Sequence, residues 1–281
     1  MIEYIIIAIL QGLFEWLPIS SSGQVMIVAV NFFGIPPEEA YSLSIWLHLG
    51  TMFAVLLKFK KDYIRIVKSF LPMKFNVIET DIKKRNWLIV GTIGTAITAL
   101  PLYFIFKFII VGEFTAVHGD LLTLIIAGML IITGIILLLI KKKFGVKTIE
   151  SVEKQNVIKD SFIIGLIQGV AVLPGISRSA ITVSTTLIQN YEQDSALRLS
   201  FLMSVPVVIA SIAVDIIFGE GSVFRILDPI TIIIITFLSF IVGYASIEIL
   251  LKIAKRIQFG YFCLLYGIIA YAIILPFFII H

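Results

Sequence analysis

The sequence predicts an all-α integral membrane fold: an inverted-topology repeat of six transmembrane helices and two re-entrant helical hairpins. Three observations carry that expectation. First, 59% of the 281 residues are hydrophobic, the mean hydropathy is +1.06 and only 14% are charged, against about 25% in an ordinary soluble domain. So few charges cannot cover a water-soluble protein of this size, which excludes a soluble enzyme, a disordered chain and a nucleic-acid-binding protein. Second, the apolar residues gather in long runs, and at ~20 residues per span they fill roughly eight segments. Third, two of those runs are interrupted by Pro, Gly and Ser at matching places in the two halves.

The runs are 2–33, 40–57, 87–110, 121–140, 162–188, 197–218, 229–250 and 260–280. Leu and Ile dominate them, and the weak alternation argues against an outer-membrane barrel. Run 2–33 is broken by Leu17-Pro-Ile-Ser-Ser-Ser-Gly23, and run 162–188 by Leu173-Pro-Gly-Ile-Ser-Arg-Ser179. Proline removes a backbone donor and disfavours helix in the residue before it. Irregular backbone at membrane depth survives only where it is buried in protein or lines a wet cavity. Gln11-Gly12 precedes the first break and Gln168-Gly169 the second, an offset of 157 residues at the glutamines and 156 at the prolines. Paired broken helices in two halves point to a binding site at the repeat interface. The chain is therefore expected to be one membrane domain, with repeat 1 at about 1–140, a cytoplasmic linker at about 141–161 and repeat 2 at about 162–281. The N-terminal stretch carries Glu3 where a secretory signal would be basic, so no signal peptide is expected. The single cysteine, Cys263, excludes an intrachain disulfide and a cysteine metal cluster.

Charge sets the orientation. Segment 58–86 holds nine basic residues and 141–161 holds six, whereas 111–120 holds none and 219–228 only Arg225. Lys252, Lys255 and Arg256 mark 251–259. Basic loops stay in the cytoplasm, which places 58–86, 141–161 and 251–259 inside. A full crossing by 162–188 would put 251–259 outside, so that run dips in and returns. Residues 1–39 contain no Lys or Arg, so re-entry of 2–33 from the outer face rests on the repeat, and both termini are expected outside. Asp215, Glu248 and Lys107 sit near segment ends, where an interfacial position is expected.

The breaks also concentrate the chemistry. Gln11 and Glu15 are four apart and share a helix face. Ser20, Ser21, Ser22, Gly23 and Gln24 follow, and Gly175, Ser177, Arg178, Ser179 and Thr182 mark the second break. Hydroxyls at helix starts cap free N–H groups, and those groups bind anions. Arg178 is the one basic residue in 162–188, and an ionisable group at membrane depth points to function. Arginine suits phosphate through its bidentate fork. Two opposed helix starts with hydroxyls, an arginine and a carboxylate form a cradle for a phosphate-rich group.

Gln11-x-x-x-Glu15, Leu17-Pro-Ile-Ser-Ser-Ser-Gly23 and Pro174-Gly-Ile-Ser-Arg-Ser-Ala-Ile-Thr182 resemble the signature motifs of the undecaprenyl-diphosphate phosphatase family of the bacitracin-resistance type. Leu199-Ser-Phe-Leu-Met-Ser-Val-Pro206 is similar to a further run of that family. The resemblance implies an enzyme that removes one phosphate from a C55 polyprenyl diphosphate at the outer face of the cytoplasmic membrane. That regenerates the lipid carrier for cell-wall polymers. It also implies an inverted repeat with re-entrant helices and a homodimer. Carried over by position, Glu15 and Gln11 would bind a divalent cation (Mg²⁺ or Ca²⁺) or a water. Ser21 would be the nucleophile, with a Glu15-activated water as the alternative. Arg178 would hold the diphosphate with Ser177, Ser179 and Thr182.

One departure matters. The family commonly carries His where this chain has Gln24, and Gln where it has His48. His48 is therefore expected to approach from the next helix and take the proton-transfer role. Inverted repeats with broken helices are also transporter architecture, so a polyprenyl-phosphate flippase is the alternative function. Phosphate release separates the two.

Overall fold

A computed structural model describes residues 1–17, 19–71, 76–110, 118–139, 145–219 and 222–253, with a few positions between 261 and 272. Pro18, the lysines at 141–143, Lys255, Arg256, Cys263 and most of run 260–280 lie outside the described residues. Among the described residues the regular structure is helical, apart from one isolated parallel bridge between Lys147 and Tyr191.

The first break separates α1 (Ile2–Phe14) from α2 (Ser21–Phe33). At 13 residues each, these helices run ~20 Å, short of the ~30 Å hydrocarbon core. α3 (Pro37–Lys58) begins with proline in its first turn followed by Glu38 and Glu39, and ends on Lys58, a charge order that suits the helix dipole. After the short α4 (Lys60–Lys68) comes α5 (Glu79–Ile110), then α6 (His118–Leu139). The second break lies between α7 (Lys154–Gln168), which ends in a 3₁₀ turn at Gly169–Val172, and α8 (Arg178–Ile188). α9 (Gln193–Phe218), the one-turn α10 (Val223–Ile226) and α11 (Pro229–Ile253) complete the order. Among the described residues four helices are long and apolar enough to cross a membrane: α3, α5 over Glu79–Lys107, α9, and α11 over Pro229–Ile247. The chain is a multi-pass membrane protein, and its described spans are helical.

The halves exchange partners. α1 lies along α11, α7 lies along α5, and α3 packs against α9. Close approach at both exchanged contacts depends on glycine. A β-carbon on Gly12 would meet Val242 Cβ at 2.8 Å, Gly243 N at 2.9 Å and Ser239 O at 3.0 Å. One on Gly169 would meet Thr98 Cβ at 2.6 Å, Ala99 N at 2.9 Å and Thr95 O at 2.7 Å. The three partners pair off at one constant offset of 144 residues: Thr95 with Ser239, Thr98 with Val242, Ala99 with Gly243. Gly169→Ala is expected to force α5 and α7 apart at an overpacking cost of about 1–3 kcal/mol. That loss would be read as a lower Tm of the detergent-solubilised protein; an unchanged Tm would refute the close contact.

One end of the bundle is tied by charge. Asp62 on α4 accepts from Lys84 at 2.9 Å and from Arg198 at 2.6 Å, joining the starts of α5 and α9. Burial pushes the Asp62 carboxyl up, but its bonds to Arg198 and Lys84 outweigh this and hold it below the usual carboxylate range. The far ends of the helices lie at Pro37, Ile110 and Phe218. There the expectation for Asp215 fails. It is 2% exposed, not interfacial. It accepts from Ser42 Oγ and Ser222 Oγ at 2.8 Å each and from Trp46 Nε1 at 3.2 Å. Three donors far apart in sequence replace the water it would have met at an interface.

Candidate active site

The two breaks meet. Ser20 caps α2 from the left-handed region, at φ 58°, and its Oγ accepts from Gly23 N at 3.4 Å. The same oxygen accepts from Gly175 N, in the other break, at 3.1 Å. Gly175 has φ +96°, and a β-carbon there would sit 2.6 Å from Ile126 O, so the turn requires glycine. A β-carbon on Gly23 would strike Gly175 N at 2.7 Å. Ser177 caps α8 by accepting from Ala180 N, and Ser179 Oγ reaches Leu17 O at 3.4 Å.

Glu15 follows the last residue of α1, and its carboxylate is met by four donors. Oε2 accepts from Gln11 Nε2 at 2.7 Å and from Ser21 Oγ at 2.8 Å, and His48 Nε2 lies 3.1 Å away. Oε1 is paired with Arg178 Nη2 from the second break. Arg178 Nη1 also reaches Ser204 O on α9 at 3.4 Å. The Glu15 side chain is 1% exposed, so its charge depends on these partners: burying an unpaired carboxylate is costly. His48 comes from the middle of α3, with Nδ1 against Ser44 O. Both ring nitrogens thus face oxygens, Glu15 Oε2 on one side and Ser44 O on the other.

A cavity of about 220 Å³ opens from this cluster. Its polar end is formed by Glu15, Ser20, Ser21, Ser22, His48, Ser177, Arg178 and Ser179. Its walls are apolar and come from α5, α9 and the 3₁₀ turn, with Ala96, Ala99, Leu100, Val172, Val207 and Val214 among them. From the charged end it runs along Tyr41 of α3, Tyr103 of α5 and Val214 of α9, away from the Asp62 cluster. The remaining residues expected at the site do not line it. Gln11 stands behind Glu15. Gly23 and Gly175 press the two turns together. Gln24 donates to Ile19 O at 2.8 Å, and Thr182 is 0% exposed. Residues that the sequence reading did not assign also line the cavity: Tyr41, Thr92, Thr95, Tyr103 and Gln168. For Gln168 the repeat of Gln11 was the available signal; the others carried none, since hydroxyls are common in packed membrane helices.

A divalent cation can be tested against the donor set. Among the described residues no three His, Cys, Asp or Glu side chains converge. Gln11 Oε1 is buried without a partner while its Nε2 holds Glu15. One carboxylate oxygen and the orphaned amide oxygen are the ligands the site offers, and a hard cation there would displace a donor from Glu15 and take the rest of its shell from phosphate oxygens and water.

Fold and site define a multi-pass membrane protein whose charged, hydroxyl-rich site is sunk between two broken helices. The profile of the family described as Bacitracin resistance protein BacA matches residues 4–272, and the chain belongs to that family. It is similar to an undecaprenyl-diphosphatase of Methanothrix thermoacetophila, 36% identical over 97% of this chain and 96% of the relative. It is also similar to proteins of the same name from Methanococcoides burtonii, 36% identical over 95% and 96%, and from Methanopyrus kandleri, 34% identical over 95% and 93%.

Proposed function

We propose that this protein hydrolyses a polyprenyl diphosphate of the undecaprenyl type to the monophosphate and inorganic phosphate, recycling a lipid carrier for cell-envelope polymers. The observation that carries the reading is the cavity's polarity. A carboxylate, serine, imidazole and guanidinium converge at one end, and apolar walls lead away from them, which matches a charged head on an apolar tail. The relatives' name favours hydrolysis over lipid transport.

Arg178 and the two helix starts hold the diphosphate and neutralise charge as it develops. Ser21 Oγ already donates to Glu15, which favours the serine as nucleophile. Its oxygen attacks the terminal phosphorus, its proton passes to Glu15, and the prenyl monophosphate leaves. Water then attacks the phosphoserine and gives a proton to the Glu15–His48 pair, the bond from phosphorus to Ser21 Oγ breaks as inorganic phosphate leaves, Ser21 takes back its proton from Glu15, and the water's proton departs to solvent. Glu15 and Gln11 Oε1 would hold a divalent cation, which would supply further positive charge beside the phosphates.

The topology proposed here is six spans and two re-entrant hairpins in an inverted repeat. The exchanged packing of α1 on α11 and α7 on α5, with its constant offset, supports the repeat. The 13-residue lengths of α1 and α2 support re-entry. The cavity runs away from the basic end of the bundle, and basic residues face the cytoplasm. We therefore place the protein in the cytoplasmic membrane with its site open to the outer face. The test is phosphate release by the purified protein from C15 and C55 prenyl diphosphates, with and without chelator. Release from both substrates is expected, with loss on chelation. No release, together with movement of the lipid across vesicles, would replace the phosphatase with a flippase.

A further inference from the structure

We propose that Gln168 and Thr182 form a positioning relay for Arg178, without touching the substrate diphosphate; this rests on the phosphatase reading above. Thr182 lies one turn along α8 from Arg178. Its hydroxyl is 2.8 Å from Arg178 O and 2.7 Å from Gln168 Oε1, sharing its proton between them. Gln168, at the end of α7, donates through Nε2 to Thr95 Oγ1 on α5 at 3.0 Å. Thr95 in turn donates to Gly91 O of its own helix at 2.8 Å. The first turn of α8 is thereby tied to α7 and to α5 through side chains that are 0% (Thr182), 2% (Gln168) and 6% (Thr95) exposed.

This tie bears on function because of what the first turn of α8 carries. Arg178 must cross from the second break to Glu15 in the first, so its reach depends on where that turn sits. Thr182 lies outside the cavity lining and is fully buried, so it has no line to a bound phosphate. The glutamines of the two repeats thus do related work by different routes. Gln11 holds the carboxylate directly, whereas Gln168 holds the backbone that carries the guanidinium. Misplacing a catalytic group by ~1 Å can cost about 10²-fold in rate, so loss of the relay is expected to be visible in turnover.

The experiment compares Thr182→Val, Thr182→Ser, Gln168→Leu and Thr95→Ala for phosphate release from farnesyl diphosphate, with Tm read in the same detergent. Thr182→Val and Gln168→Leu are each expected to lower kcat by about 10–100-fold with little change in KM. Thr182→Ser, which keeps the hydroxyl, is expected to stay near wild type. In an Arg178→Lys background Thr182→Val should cost almost nothing more, because the fork it aims is gone. A purely structural role would lower Tm and add its full cost in that background. A change confined to KM would make Thr182 a substrate contact. Either result overturns the proposal, as does wild-type kcat in Thr182→Val. If the Val and Leu variants do not fold, Thr95→Ala decides: because Thr95 also lines the cavity, reduced kcat at unchanged Tm and unchanged KM supports the relay, and wild-type kcat or a raised KM overturns it. Wild-type protein that releases no phosphate overturns the hydrolase reading and this relay with it.

Discussion

Arg178→Ala is expected to lower kcat for phosphate release by about 10³-fold or more, the range seen when an arginine that neutralises a transferring phosphoryl group is removed. The reasoning starts from its pairing with Glu15. In the absence of substrate the guanidinium is held by Glu15 and by Ser204 O. It presents five N–H donors in a fixed fork, so further donors remain to meet an arriving phosphate without Glu15 being released. The alanine variant carries a second penalty, since it leaves a buried carboxylate with only Gln11, Ser21 and His48 around it. Removing one partner of a buried ion pair costs about 3–5 kcal/mol, so a fall in Tm is expected alongside the loss of rate. Arg178→Lys separates the two effects. It keeps a positive charge for Glu15 but lacks the bidentate fork. Near-normal Tm with a rate still ~10²-fold down is the expected result, given that arginine's contribution at such sites reaches 10³–10⁵. Arg178→Lys at the wild-type rate would show that the site needs a charge and not a fork.

The sequence was most informative where membrane physics allows few options. Proline clustered with glycine and serine inside an apolar run marks a helix break, and the two breaks fall between α1 and α2 and between α7 and α8, whereas the lone Pro101 and Pro206 sit inside α5 and α9. The paired glutamines pointed to both breaks, and Gln11 and Gln168 each stand just before one of them. His48 was legible only through its departure from the family pattern, read together with Gln24, and its ring lies between Glu15 and Ser44 O. What stayed hidden is what depends on pairing across long separations. Asp215 looked interfacial from its place near the end of α9, yet its donors come from positions 42, 46 and 222, and no local pattern joins these. Thr182 looked like a phosphate contact because it shares a motif with Arg178. One helical turn instead points it at Gln168, since residues i and i+4 share a face but not a depth. The crowding of Gly12 and Gly169 was equally invisible, because neither helix's sequence says which helix of the other half it meets.

His48→Gln is expected to lower kcat by about 10²-fold or more, the usual contribution of a positioned acid–base group, while leaving the fold intact. Glutamine is the informative replacement because its amide can still donate to Glu15, which His48 approaches at 3.1 Å, but cannot carry a proton. The variant thus keeps a donor beside Glu15 and removes proton transfer. Gln24 cannot compensate: its Nε2 is spent on Ile19 O and its side chain lies outside the cavity lining. A second variant tests the same point chemically. His48→Ala opens space at the polar end of the cavity, and added imidazole should restore part of the lost turnover there and none in His48→Gln, where the space is filled. Full kcat in His48→Gln would return Glu15 to sole charge of the proton, with His48 reduced to one more donor holding it in place.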